Sequence, residues 1–381
     1  MGGLLGPVGG VGDLGVDLLK RDRTVAGDAQ LLQVADQHAG VLAGDVAEDH
    51  VALRLPGRAL EEDQVAGRGR GPEQVSDLPG PIRRDDDPQV DHERPGYPHR
   101  PVLTDYHLHL RPDEEGTIAA RYFTGENVDR YLAAAAEAGI EELGVSEHVY
   151  RFTQALELWR HPLWEENAHD DLDAYCEFVR STPLRLGIEC DFVPGAEDRT
   201  ATLLEARDFD YVVGSVHFIG DEAVDHEGWD VWDRNGSPDE VWRRYFESLA
   251  ECARSGLFDI LAHPDLVKVW GGSRPLPERD PRFYYEPAIE AIAESGIAVE
   301  VSTAGLRKPV GELYPSQAFA EMCVEAGAPF ALSSDAHLPE QVGFGYPQAA
   351  EFLDGLGVTE ISVFERRARR LEPLGAPVGK D

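Results

Sequence analysis

The chain has 381 residues and a formal net charge of −36, from 35 Lys and Arg against 71 Asp and Glu. That balance excludes a nucleic-acid backbone as the main partner, because phosphate neutralisation needs clustered Lys and Arg. No run of about 18 apolar residues is present, so no membrane span is expected, and with no secretory leader pattern the expectation is a cytoplasmic protein.

In chain order, residues 1–100 come first and stand apart. They hold one aromatic residue, Tyr97, of 32 in the whole chain. Without large aromatic side chains little apolar area can be buried. Runs such as Gly67-Arg-Gly-Arg-Gly-Pro72 favour loops, and the segment is expected to be largely disordered. The alternative, favoured by the abrupt onset of pattern near Val102, is non-coding sequence translated from a start placed too early. The organised domain is expected over 101–381.

From residue 102 the pattern alternates between short apolar runs and amphipathic stretches. Strands are predicted over 102–106, 142–146, 184–190, 211–216, 259–262, 298–302 and 330–334. Helices are predicted over 127–138, 170–180, 239–255, 286–295, 316–326 and 346–353. Gly139, Gly256, Gly296, Gly327 and Gly355 mark helix stops. Repeated strand–helix units imply a parallel sheet with helices outside, and seven of them suit a closed α/β barrel.

The chemistry clusters at the predicted strand ends. The first strand runs into His107-x-His109, the second into Glu147-His148, and the third carries Glu189. The fourth ends at His217, the fifth at His263-Pro-Asp265, and the seventh at Asp335-x-His337. In a parallel α/β barrel these C-terminal ends form one rim, so the side chains converge. Residues i and i+2 of a strand share a face, so both imidazoles of His107-x-His109 can reach one ion. Imidazole and carboxylate suit Zn, Mn, Fe and Co, and two or three such ions are expected. Each fragment alone has an ordinary explanation, as strand terminator, helix cap or core residue; the coincidence of six does not. His161 and His169 are expected on surface loops. His226, in the insertion 220–238 with Trp229 and Trp232, is a candidate for substrate contact. The four cysteines, Cys176, Cys190, Cys252 and Cys323, form no CxxC pair and are expected to be reduced thiols.

Taken together, these motifs resemble the PHP (polymerase and histidinol phosphatase) metallo-phosphoesterases over residues 103–375. The family pattern of HxH, a later His, a Glu, two separated His and a C-terminal DxH is present in order. Gly214-Ser-Val-His-Phe218, His263-Pro-Asp-Leu-Val-Lys268 and Ser302-Thr-Ala-Gly-Leu-Arg-Lys-Pro309 are similar to its histidinol-phosphatase branch. The resemblance implies a distorted (β/α)7 TIM-like barrel. It implies a first metal on His107, His109, Glu189 and Asp335, a second on His148 and His337, and a third on His217 and His263 with Glu189 bridging. Many members place a further histidine eight residues after the first; here that position is Glu115, with Asp113 and Glu114 as alternatives if the loop differs. The implied reaction is hydrolysis of a small phosphate ester, L-histidinol phosphate first, with a nucleotide or sugar phosphate or a non-catalytic module as alternatives. No cysteine or serine nucleophile is suggested. Asp335 and His337 are candidates for catalytic proton handling. Arg307 is a candidate for catalysis and for gripping phosphate, and Lys268 for binding it.

Overall fold

The computed structural model describes residues 101–114, 116–234 and 236–377. The expected disorder of 1–100 lies outside the described residues.

Among the described residues there are twelve strands: β1 (Thr104–Asp105), β2 (Glu142–Val145), β3 (Arg185–Leu186), β4 (Glu189–Asp191), β5 (Val213–Ser215), β6 (Phe218–Ile219), β7 (Glu222–Ala223), β8 (Ile260–Leu261), β9 (Ala298–Ser302), β10 (Phe330–Ser333), β11 (Glu360–Glu365) and β12 (Ala368–Pro373). Two parallel sheets form the centre, in the orders β1-β2-β3 and β10-β9-β8-β5-β4. At one seam His148 bridges Glu189, and Glu189 N–H donates to the Glu147 carbonyl at 3.0 Å. At the other, Leu108 bridges Ala336, and His109 N–H donates to the Ala336 carbonyl at 2.7 Å. The pairing therefore runs in a cycle, which is consistent with the expected barrel.

The predicted third strand is divided. β3 pairs with β2 and β4 pairs with β5, so one segment serves both sheets. Gly187 lies between its halves. A Cβ there would stand 2.3 Å from the Tyr211 ring, and one on Gly144 would stand 2.3 Å from Tyr211 Oη. The two glycines leave room for that ring inside the ring of strands.

Alternation along the strands separates two cores. Val213, Ile260, Ala262, Ala298 and Ala331 face inward and pack with Tyr106 and Tyr211. Their neighbours Val212, Leu261, Val299 and Leu332 face outward against the helices. This is the period of two that a pleated strand imposes. On the inward face apolar residues give way to polar ones toward the C-terminal ends: Ala298 is followed by Glu300, Ala331 by Ser333, and Val213 by Ser215. A polar layer thus lies above an apolar one.

The apolar layer is completed by the hairpin β11–β12, whose Ile361, Val363 and Phe364 join the inner core. The sequence reading missed it. Its turn residues, Arg366 and Arg367, have φ of 50° and 64°, values that favour Asn or Gly. Tertiary contacts hold them: Arg366 N–H donates to Asp210 Oδ1 at 3.3 Å and Arg367 N–H to the Asp210 carbonyl at 2.8 Å.

The long helices match expectation: Gly125–Ala138, Leu172–Arg180, Pro238–Arg254, Arg282–Ser295, Gln317–Glu325 and Tyr346–Gly355. Thr124, Asp171, Ser237 and Ser316 cap their N-termini through side-chain oxygens. Gly139 and Gly296 close two of them in the left-handed region. Gly355, expected as a stop, ends up as the last helical residue. Among the described residues no helix is long and apolar enough to cross a membrane, and the four cysteines are free.

Candidate metal centre and cavity

The polar layer and the strand ends above it carry the site. His107 and His109 follow β1, His148 follows β2, Glu189 opens β4, His217 follows β5, His263 follows β8, and Asp335 and His337 follow β10. Glu189 is 1% exposed and sits at the centre. Its Oε2 lies 3.3 Å from His107 Nε2, 3.6 Å from His109 Nε2 and 2.5 Å from His148 Nδ1. Its Oε1 lies 3.4 Å from His217 Nε2 and 3.3 Å from His263 Nε2. Asp335 Oδ1 lies 3.4 Å from His109 Nε2 and 3.7 Å from His107 Nε2. His337 Nε2 lies 3.5 Å from His148 Nε2. All eight of these sequence candidates are brought together.

Glu115 lies outside the described residues. Two positions earlier, Asp113 reaches the cluster: Oδ2 is 2.8 Å from His337 Nε2 and Oδ1 is 3.6 Å from His148 Nε2. Arg151, 3% exposed, pairs with both Asp113 and Glu147 and so fixes this edge.

The donor set fits divalent cations. His107 Nε2, both ring nitrogens of His109, His148 Nδ1 and Glu189 Oε2 are buried without a hydrogen-bond partner. Buried polar atoms left unpaired are costly, and lone pairs facing one another are satisfied by a cation. Three sets have ligand atoms within 4.8 Å of one another: His109, His148 and His337; His107, Glu189 and His263; and His107, His109 and Asp335.

Charge and burial compete here. Burial opposes charge on Glu189, His107 and His217, but their neighbours prevail. Glu189 is held well below the usual carboxylate range by His148, His107 and His217. His107 is raised well above the usual imidazole range by Glu300, Glu189 and Asp335. His217 is pushed up to about 10 by Asp191 and Glu189. Without an ion, the site is a cage of ion pairs.

Three carboxylates behind the cluster were not anticipated. Glu300, fully buried, accepts from His107 Nδ1 at 2.8 Å and from His263 N–H at 2.6 Å. Asp191 accepts from His217 Nδ1 at 2.7 Å. Glu147 lies 3.8 Å from His109 Nδ1 and accepts from the Leu110 and Arg111 N–H groups. With Nδ1 of His107 and His217 each held by one of these acids, Nε2 is turned toward Glu189, where it would serve as the ligand atom for an ion. One signal could have found Glu300: a carboxylate between two valines in a strand read as buried needs a partner. His263 and Asp335 also have positive φ, 23° and 50°, which marks strain at the site.

A cavity of about 230 Å³ opens beside the cluster. His148, His217, His263, Asp335 and His337 form its polar floor, and Asp113 and Asp225 extend the acidic wall. Leu266, Val269, Trp270, Pro309 and Tyr314 form the apolar side, and Lys308 is the one Lys or Arg lining it among the described residues.

The three residues expected to touch substrate are placed otherwise. Arg307 does not line the cavity; its Nη2 donates to the carbonyls of Ser334 and Asp335 at 2.8 and 2.9 Å. Lys268 is 7% exposed, with Nζ 3.0 Å from Asp265, 3.2 Å from Glu312 and 2.9 Å from the Leu313 carbonyl. His226 is exposed and accepts from Gly228 N–H in its own turn, at 3.1 Å. His161, expected at the surface, is 2% exposed and stacks on Trp159 at 4.4 Å.

Residues 124–304 match the PHP domain family. The chain is 32% identical over 279 residues to a Deinococcus radiodurans protein named "Probable histidinol-phosphatase", covering 71% of this chain and 99% of that one. It is 23% identical over 245 residues to the histidinol-phosphatase of Bacillus subtilis, covering 58% and 91%. The crystal structure of a Lactococcus lactis histidinol phosphate phosphatase, complexed with zinc, L-histidinol and phosphate, superposes with a TM-score of 0.56 at 18% identity, covering 71% of this chain and all of that one (100%). With the strand ends, the buried donor cluster and these matches in agreement, the chain belongs to the PHP-domain histidinol-phosphatase family.

Proposed function

We propose that this chain is a divalent-metal phosphomonoesterase that hydrolyses L-histidinol phosphate to L-histidinol and phosphate. The observation that carries the reading is the convergence of eight His and carboxylate side chains on buried, unpaired donor atoms beside a small cavity. The relatives' names and the L-histidinol and phosphate in the Lactococcus lactis complex support the substrate. Histidine synthesis in the cytoplasm is part of the same proposal.

His107, His109, Glu189 and Asp335 would hold a first ion. His148 and His337, with Asp113, would hold a second, and His217 and His263, with Glu189, a third. Bound divalent ions supply charge neutralisation on the phosphoryl oxygens and activation of water. Lys308 lines the cavity and offers the phosphate a cation. Asp335 and His337 line it too, and are the groups available to pass a proton to the departing alcohol oxygen. The volume, about 230 Å³, lies below the roughly 300–1,000 Å³ of sites for larger ligands, which favours a compact ester over a nucleotide.

The test loads purified protein with Zn, Mn, Fe or Co in turn. Phosphate release is followed from L-histidinol phosphate beside nucleotide and sugar monophosphates. A strong preference for L-histidinol phosphate, abolished by His107→Ala and by Asp335→Ala, is expected. A flat profile or a preferred nucleotide refutes the substrate; full activity in both variants refutes the metal centre.

A further inference from the structure

We infer that Asp225 receives the cationic, amine-bearing part of the substrate and sets a preference for cationic phosphate esters. This rests on the phosphomonoesterase reading above.

Among the described residues four carboxylates line the cavity: Asp113, Glu189, Asp225 and Asp335. Three of them face histidines of the cluster, at 2.8 Å for Asp113 with His337, 2.5 Å for Glu189 with His148 and 3.4 Å for Asp335 with His109. Asp225 forms no direct ion pair among the described residues, acting on His217 only at longer range, and it is partly exposed. Among the described acids lining the cavity it is the one without a direct ion-pair partner. Nearby acids are excluded: Asp265 is fully buried and committed to Lys268 at 3.0 Å and Ser316 N–H at 2.7 Å, and Glu222 does not line the cavity.

Asp225 is also held in place. The residue before it is tied on both sides: Val224 N–H donates to the His217 carbonyl at 2.9 Å, and Trp270 Nε1–H donates to the Val224 carbonyl at 2.7 Å. The insertion that carries it is fastened by Arg244 Nη2 on the Ile219 carbonyl at 3.2 Å and by the Arg274–Asp230 ion pair. A carboxylate fixed before the ligand arrives loses little entropy on binding. Leu266, Val269 and Tyr314 give the same cavity an apolar lining. The cavity thus has a cation-binding floor for phosphate and a separate carboxylate over apolar side chains. That arrangement fits a short organic ammonium or imidazolium carrying a phosphate. Trp270 is a positioning residue, acting through the Val224 peptide.

The test measures kcat/KM of metal-loaded wild type, Asp225→Asn and Trp270→Phe on three esters: L-histidinol phosphate, O-phosphoethanolamine and glycerol phosphate. The quantity read is the ratio of each amine-bearing ester to glycerol phosphate. A charge-assisted hydrogen bond predicts a fall in this ratio of about ten- to hundredfold in Asp225→Asn. The loss should lie mainly in KM, with L-histidinol weakened to the same degree as a competitive inhibitor. Trp270→Phe should lower the ratio less. An unchanged ratio in Asp225→Asn, or an equal loss on all three esters, overturns the proposal. If wild type ignores L-histidinol phosphate yet favours O-phosphoethanolamine, and Asp225→Asn removes that preference, the subsite stands and the named substrate falls.

Discussion

Replacing Glu300 separates two things that a carboxylate behind a metal ligand can do. It accepts from His107 Nδ1, His263 N–H and Ser333 Oγ at 2.8, 2.6 and 2.5 Å, and is 0% exposed. Glu300→Ala leaves three donors without an acceptor. Each orphaned group costs about 1–3 kcal/mol, and breaking a buried charged network costs about 3–5 kcal/mol in total. For a domain of this size that lowers Tm by roughly 6–20 °C. Glu300→Gln keeps the volume and one carbonyl acceptor, so its Tm should fall far less. It cannot accept at both oxygens, however, so it competes poorly for the proton on His107 Nδ1. The proton then shifts toward Nε2, the atom that faces Glu189 and Asp335, and metal affinity should fall by about 10–100-fold. The assay is competition for Zn or Mn against a chelator, beside thermal melts of the metal-free protein. Glu300→Gln with unaltered metal affinity refutes the assignment of the tautomer to this residue.

Four further outcomes follow from the same geometry. Metal affinity should rise with pH, because an ion must displace protons that the cage's carboxylates hold on His107, His148 and His217; calorimetry in buffers of different ionisation enthalpy should show proton release, and none would count against the cage. Linkage fixes a second sign: His217 has a folded pKa near 10 against 6.5, so its contribution to the metal-free fold is complete below pH 6.5 and is lost as pH rises to 10, and chelated samples whose melting rises through that window would contradict it. Arg307→Ala should weaken metal binding through the Ser334 and Asp335 carbonyls it now holds, whereas a change confined to KM would restore the phosphate-gripping role. Gly187→Ala should cost about 1–3 kcal/mol from overpacking against Tyr211, and pairing it with Tyr211→Leu should recover part of the loss; a melt identical to wild type would show that the ring moves freely.

The ligands were legible because they punctuate apolar runs: a His or Asp just past a strand has no reason of packing to be there, and six such ends must meet. The helices were legible from caps and glycines. The carboxylates behind the ligands were not, since Glu300, Asp191 and Glu147 are ordinary acids whose partners lie up to 193 residues away in sequence. The contacts of Arg307 and Lys268 were hidden for a related reason. Sequence places a cation near the rim, but not the carbonyls and acids that claim it first. Asp113, an alternative to Glu115 in the sequence reading, is the described acid of that loop that meets His148 and His337. The division of the third strand and the terminal hairpin depend on Tyr211 and Asp210, contacts without a local signature.

The seam between β1 and β10 sets the order in which the centre can be built. The Asp105 carboxylate accepts from the Ser334 N–H at 2.9 Å, across 229 residues of chain. During synthesis at about 5–20 residues per second, roughly 10–50 s separate the emergence of these two ends. Through that interval His107 and His109 are on the nascent chain while Asp335 and His337 do not yet exist. The complete centre can therefore form only after synthesis has passed His337, and an ion held by all eight residues is captured after that point.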